Sequence, residues 1–198
     1  MSPTLLQIVD SAVADAYRRG SPHLPCKPGC SQCCIGVFPI AQQDAARLRE
    51  GLAQAPQATA QAIRQRVRSS LARLDPWFPG DPSSGILHED HEAAILFEEF
   101  ANDEPCPVLD PATGTCDLYD HRPILCRTFG PPMRAEGDDG EVNLGTCELC
   151  FIHATTEEIS AAELDPTIPD QEAASNQTWD EAHHIYGETL IAYALRSL

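Results

Sequence analysis

The chain has 198 residues, with 13 Lys and Arg against 30 Asp and Glu, and a formal net charge of −17. Such a field repels phosphate backbones, which sets nucleic acid aside as a partner, and no stretch approaches the roughly 20 apolar residues needed to span a bilayer. Hydrophobic residues reach 42% but aromatics only 6%, and 17 Pro interrupt the chain, so the expected core is modest and broken by irregular segments.

Residues 4 to 19 place Leu5, Leu6, Val9, Val13, Ala16 and Tyr17 at spacings of three and four, one face of an amphipathic helix. Arg18 and Arg19 suit its C-terminal dipole, and Gly20 and Pro22 stop it. No basic run precedes the apolar residues, so the segment does not read as a signal peptide. A cytoplasmic location is expected.

PCKPGCSQCCIG follows, with Cys26, Cys30, Cys33 and Cys34 among turn-forming Pro and Gly. Turns of this kind let several backbone N–H groups point at the same sulfurs. Adjacent Cys33 and Cys34 project in different directions in helix or strand, so their roles differ. GVFPI (36–40) is either a short strand or core filling. Helices are expected over 42–54 and from Pro56 to Leu74, the second with an Ile63, Val67, Leu71 and Leu74 stripe. Arg64, Arg66, Arg68 and Arg73 fall largely off that stripe and read as a solvated face.

The segment 75–85 is rich in turn residues, with Trp77 and Phe78 expected to close over the core. A helix around 91–100 is expected to turn Ile95, Leu96 and Phe100 inward. CPVLDPATGTCDLYDHRPILCRTFG carries Cys106, Cys116 and Cys126. Its ATGT predicts a hairpin turn that brings Cys106 and Cys116 together, and Pro123 predicts a short helix bearing Cys126 and Arg127. Arg122 or Arg127 is available to offset thiolate charge. After the acidic, Gly-rich AEGDDGE (135–141) comes the knuckle Cys147-Glu-Leu-Cys150. Residues 155–175 are poorly periodic, and a last helix is expected over Thr178–Leu195, burying Trp179, Ile185, Tyr186, Leu190 and Tyr193.

The predicted fold is mainly α: a single metal-stapled domain (1–198) of about five helices, with irregular cysteine-rich loops and at most a small β-hairpin. Its cysteine core, 26–150, is flanked by an N-terminal and a C-terminal helix. Nine cysteines, an odd number, in a reducing compartment are poor disulfide candidates and good metal ligands. Cys30/Cys33 and Cys147/Cys150 are Cys-x2-Cys knuckles that would form one four-thiolate zinc site if they met, leaving the other five cysteines for a second. An all-thiolate set with uneven spacings favours an iron–sulfur cluster over a zinc ion. His121 and His153 lie near the thiols and read as ordinary surface or capping residues.

The combination CKPGCSQCC, CPVLD, GTCDLYDHRPILCR and a late cysteine pair resembles the CxxCxxCC (YkgJ-like) family of zinc- or iron-chelating cysteine-cluster proteins. The resemblance implies metal chelation by Cys26, Cys30, Cys33, Cys34, Cys106, Cys116 and Cys126, with Cys147 or Cys150 following. Flagellin lysine N-methylases share the cysteine pattern, which implies the alternative of an iron–sulfur enzyme moving methyl groups from S-adenosylmethionine to protein lysines. A glycine-rich S-adenosylmethionine motif is not found in this chain. The expected partner is a metal ion or cluster, with a protein partner left unidentified.

Overall fold

A computed structural model describes residues 3–136 and 142–196. Its α-helices are α1 (Leu5–Gly20), α2 (Gln42–Gln54), α3 (Gln57–Leu74), α4 (His91–Glu98), α5 (Ile124–Thr128), α6 (Thr156–Ala161), α7 (Ile168–His183) and α8 (Ile191–Ala194). Strands are short and form antiparallel hairpins: β1 (Gly80–Asp81) with β2 (Ile86–Leu87), β3 (Leu109–Asp110) with β4 (Thr115–Cys116), and β5 (Met133–Glu136) with β6 (Val142–Gly145). The fold is mainly α, as expected, with β3–β4 at the position the ATGT turn predicts. Of the acidic Gly-rich stretch, 137–141 lie outside the described residues. No described helix is long and apolar enough to cross a membrane.

The chain divides into two compact units, each discontinuous in sequence. The first comprises Met1–Lys27 and Ile124–Gln177, the second Pro28–Pro123 and Thr178–Leu198.

In the first unit, Thr4 caps α1 through a reciprocal box with Gln7, satisfying backbone donors that the helix leaves unpaired. The face of α1 that carries Val9 and Ala16 packs with Ile124, Leu164 and Ile168, all fully buried. A second, smaller cluster contains Cys147, Cys150, Phe151 and Ala162, with Leu24 and Cys26 against it. Gly20 is required between them, because a Cβ there would lie 2.9 Å from Phe151 and 3.0 Å from Ala162.

The second unit is built on α2 and α3. Leu48 and Leu52 of α2 meet Ile63, Val67, Leu71 and Leu74 of α3, together with Leu190, Tyr193 and Leu195 near the C-terminus. Burying each such side chain stabilises by about 1.5–3 kcal/mol. Phe78 stacks on Tyr193 at 4.1 Å, and the Tyr193 hydroxyl donates to Asp75 at 2.7 Å.

Several local expectations are corrected. The helix expected over 178–195 ends at His183, and 184–190 is non-helical. There Thr189 exchanges both backbone hydrogen bonds with Ile40, and Leu87 N–H donates to the Glu188 carbonyl. Positive φ values at His184 and Gly187 make the break. Ile185 and Tyr186 are consequently exposed, while Leu190 and Tyr193 are buried. Upstream, the poorly periodic stretch forms α6, whose Thr155–Glu158 capping box fixes its start, and the first turns of α7, with Pro169 in the opening turn. Trp77 is 79% exposed rather than closing the core, and Ile95 and Leu96 of α4 also face solvent. Arg66 and Arg73 are not simply solvated: the first pairs with Asp117, the second makes a two-point pair with buried Glu104.

Candidate metal centre

All nine cysteines are free thiols, each buried or partly buried. The first unit holds Cys26, Cys126, Cys147 and Cys150, and the second holds Cys30, Cys33, Cys34, Cys106 and Cys116.

In the first unit, long-range backbone bonding assembles the thiols. Phe151 N–H donates to the His23 carbonyl at 3.0 Å, which lays the segment leading to Cys26 along the end of the Cys147–Cys150 knuckle. Phe151 adopts φ 55° to make this turn, and its ring stacks on His23 at 5.5 Å. Inside the knuckle Cys150 N–H donates to the Cys147 carbonyl at 2.8 Å, a tight turn with both thiols buried. The Cys26 and Cys150 sulfurs stand 3.9 Å apart. That is too long for a disulfide bond. It lies close to the edge of about 3.8 Å that two sulfurs span across a tetrahedral ion with 2.3 Å bonds. Gly130 lies beside them, since a Cβ there would be 3.4 Å from the Cys26 sulfur. It follows α5, which carries Cys126. Burial pushes the Cys150 thiol up, and the neighbouring Cys26 and Cys147 reinforce the shift. A cation beside the raised Cys150 thiol would stabilise its thiolate form.

In the second unit the 3₁₀ turn Gln32–Cys34 is sewn to the strand-like segment before β3. Cys106 N–H donates to the Cys34 carbonyl at 2.8 Å, Gly36 N–H donates to the Glu104 carbonyl at 2.9 Å, and Ile35 bridges Pro105. Register in the β3–β4 hairpin sets Cys116 opposite Leu109, close to Cys106 in the chain. Cys33 is the acidic thiol: a hydrogen bond from the Cys34 side chain holds it down at about 6 against the opposing effect of burial, with help from its own backbone N–H and the Arg122 guanidinium. Burial pushes Cys106 up to about 12 and raises Cys116 as well, with Cys33 as a nearby like charge to both. Arg122 stacks over Tyr119 at 3.5 Å from the ring centre and is the cation of this group.

Among the described residues no three Cys, His, Asp or Glu side chains stand in coordinating positions as placed. The donor chemistry nonetheless fits zinc or iron: the donors are thiols, partly desolvated, grouped by backbone hydrogen bonds, with one sulfur pair at the spacing of a coordination edge. His121 packs against Gly51, where a Cβ would lie 2.6 Å from its ring, and His153 is exposed. Arg127 pairs with Asp10 on α1. His23, Phe151 and Gly130 escape sequence reasoning; only the Gly in TFGPP signals a special backbone. A cleft of about 620 Å³ bordered by Arg73, Trp77, Leu96, Phe100 and Glu104 has no cysteine in its described lining.

Comparison with curated proteins and with solved structures gives no match. A family profile described as "CxxCxxCC: Putative zinc- or iron-chelating domain" matches residues 25–150, most of the chain and every cysteine in it. The chain belongs to the CxxCxxCC family of zinc- or iron-chelating domains.

Proposed function

We propose that the protein is a metal-binding cysteine-cluster protein that chelates through thiolates from both cysteine blocks, holding an iron–sulfur cluster in preference to zinc. The observation that carries this reading is the Cys26–Cys150 sulfur pair, 3.9 Å apart beside a buried Cys147 in a knuckle turn. All-thiolate donors with uneven spacings favour iron–sulfur over zinc. Family membership supports zinc or iron as the metal. When bound, the metal supplies a positive centre that stabilises buried thiolates. The chain's own residues do the rest. Backbone N–H groups of the turns orient the sulfurs, the Cys34 side chain and Arg122 hold the Cys33 thiol below the usual thiol range, and Arg122 offsets part of the accumulated negative charge. With a charge of −17 the protein is not expected to bind nucleic acid, and a reducing cytoplasm would keep its thiols available.

The test is purification without oxygen and without a metal-affinity tag, followed by metal analysis and a visible absorption spectrum. A brown protein with broad charge-transfer bands and bound iron is expected. Colourless protein with stoichiometric zinc reverses the choice of metal, and protein devoid of both metals with every thiol free refutes chelation.

A further inference from the structure

We infer that the cysteines serve two separate metal centres, one closed within each unit: Cys26, Cys126, Cys147 and Cys150 in the first, and four drawn from Cys30, Cys33, Cys34, Cys106 and Cys116 in the second. This rests on the thiolate-chelation reading above, and the ligand class is a thiophilic d-block cation or its sulfide cluster.

The border between the units falls between Lys27 and Pro28, inside the first cysteine block. Cys26 and Cys30, four positions apart, therefore join different groups. The three-residue gap that separates them holds that border, and Gly29, at φ +92°, redirects the chain there. On the Cys26 side the described links lead to the late knuckle and to the turn after α5. The His23 carbonyl accepts from Phe151, the Cys26 sulfur lies 3.9 Å from that of Cys150, and the Gly130 that follows the Cys126 helix reaches the same sulfur. For residues 29–36 the described long-range links lead to the middle block and the residues just before it. Here Cys34 accepts from Cys106 N–H, Gly36 N–H donates to Glu104, and Gly29 itself lies against the β3–β4 turn, where a Cβ on Gly114 would be 3.0 Å from the Gly29 carbonyl oxygen.

Coordination number favours the same division. A tetrahedral ion takes four thiolates. Nine thiols exceed one shell, and each unit supplies at least four. Four thiolates on a dication leave two negative charges, and in the second unit Arg122 is placed to offset part of them.

The experiment is a titration of the full-length, metal-free protein with Co2+ alone under anaerobic conditions, followed by thiolate-to-cobalt charge-transfer absorption. Wild type should saturate at two equivalents. Cys147→Ser/Cys150→Ser should saturate at one, and so should Cys33→Ser/Cys106→Ser, each retaining the absorption of the other unit. Saturation of wild type at one equivalent, with absorption abolished by either double substitution, would overturn the two-centre assignment while leaving chelation intact. Absence of any charge-transfer band in wild type would overturn chelation itself and this inference with it. The wild-type end point decides between one centre and two even if a substituted protein fails to fold.

Discussion

The first unit and the second differ in what fills their interiors. In the second, α2 and α3 bring together Leu48, Leu52, Ile63, Val67, Leu71 and Leu74, joined by Phe78, Leu190 and Tyr193, a hydrocarbon and aromatic core with Cys106 and Cys116 packed against its edge. The first has a small apolar cluster under α1 and, beside it, a cluster in which two of the buried residues are the thiols Cys147 and Cys150. Where thiols stand in for leucines, burial contributes less and metal binding contributes more to folding. The contrast teaches that one family motif can decorate a self-sufficient core in one place and be part of the core in another.

The largest effect is therefore expected from removing the metal. Chelation under reducing conditions should release amide protection across 147–162, while α2 and α3 keep theirs in hydrogen exchange. Structural zinc contributes on the order of 10 kcal/mol in small domains, so the difference should be plain. Equal loss of protection in both units would erase the distinction. Conversely, Ile63→Ala opens a cavity in the hydrocarbon core and should cost about 2–5 kcal/mol. Metal content per folded chain should not change, and a proportional loss of metal would show that the second unit's core is not self-sufficient.

Smaller effects sharpen the same comparison. Arg73→Ala leaves the buried Glu104 carboxylate without its two-point partner. A cost of about 1–3 kcal/mol is expected, measured as a lower urea midpoint at unchanged slope. In the first unit, the Arg134 guanidinium hydrogen-bonds Glu163 and holds its carboxyl below the usual carboxylate range. A depressed folded pKa gives stability that is full above the unfolded value of about 4.3 and disappears as pH falls through the folded value. Arg134 is half exposed, so solvent screening limits the contribution to about 1 kcal/mol or less. Arg134→Ala should flatten the acid limb of the stability–pH curve slightly, and a larger effect near neutral pH would point to a different partner.

Much of the helical framework was legible because it is local. The α3 stripe at Ile63, Val67, Leu71 and Leu74 repeats at helical spacing, and Gly114, at φ +68°, serves the β3–β4 turn that ATGT announces. What escaped is non-local. Leu190 and Tyr193 continue a plausible helical face from Trp179, yet the Thr189 backbone gains more by pairing with Ile40, far away in sequence. The thiols themselves were plain to read as candidate ligands. Their grouping was not, because the hydrogen bonds from Phe151 to His23 and from Cys106 to Cys34 join segments over 120 and over 70 residues apart, and cysteine spacing carries no record of them.

X-ray absorption at the edge of whatever metal the anaerobically purified protein contains tests the thiolate claim most directly, because it reports the atoms bound to the metal. A first shell of sulfur alone, at about 2.3 Å, is the expected result. A shell of nitrogen or oxygen at about 2.0–2.1 Å, or no bound metal at all, would contradict it.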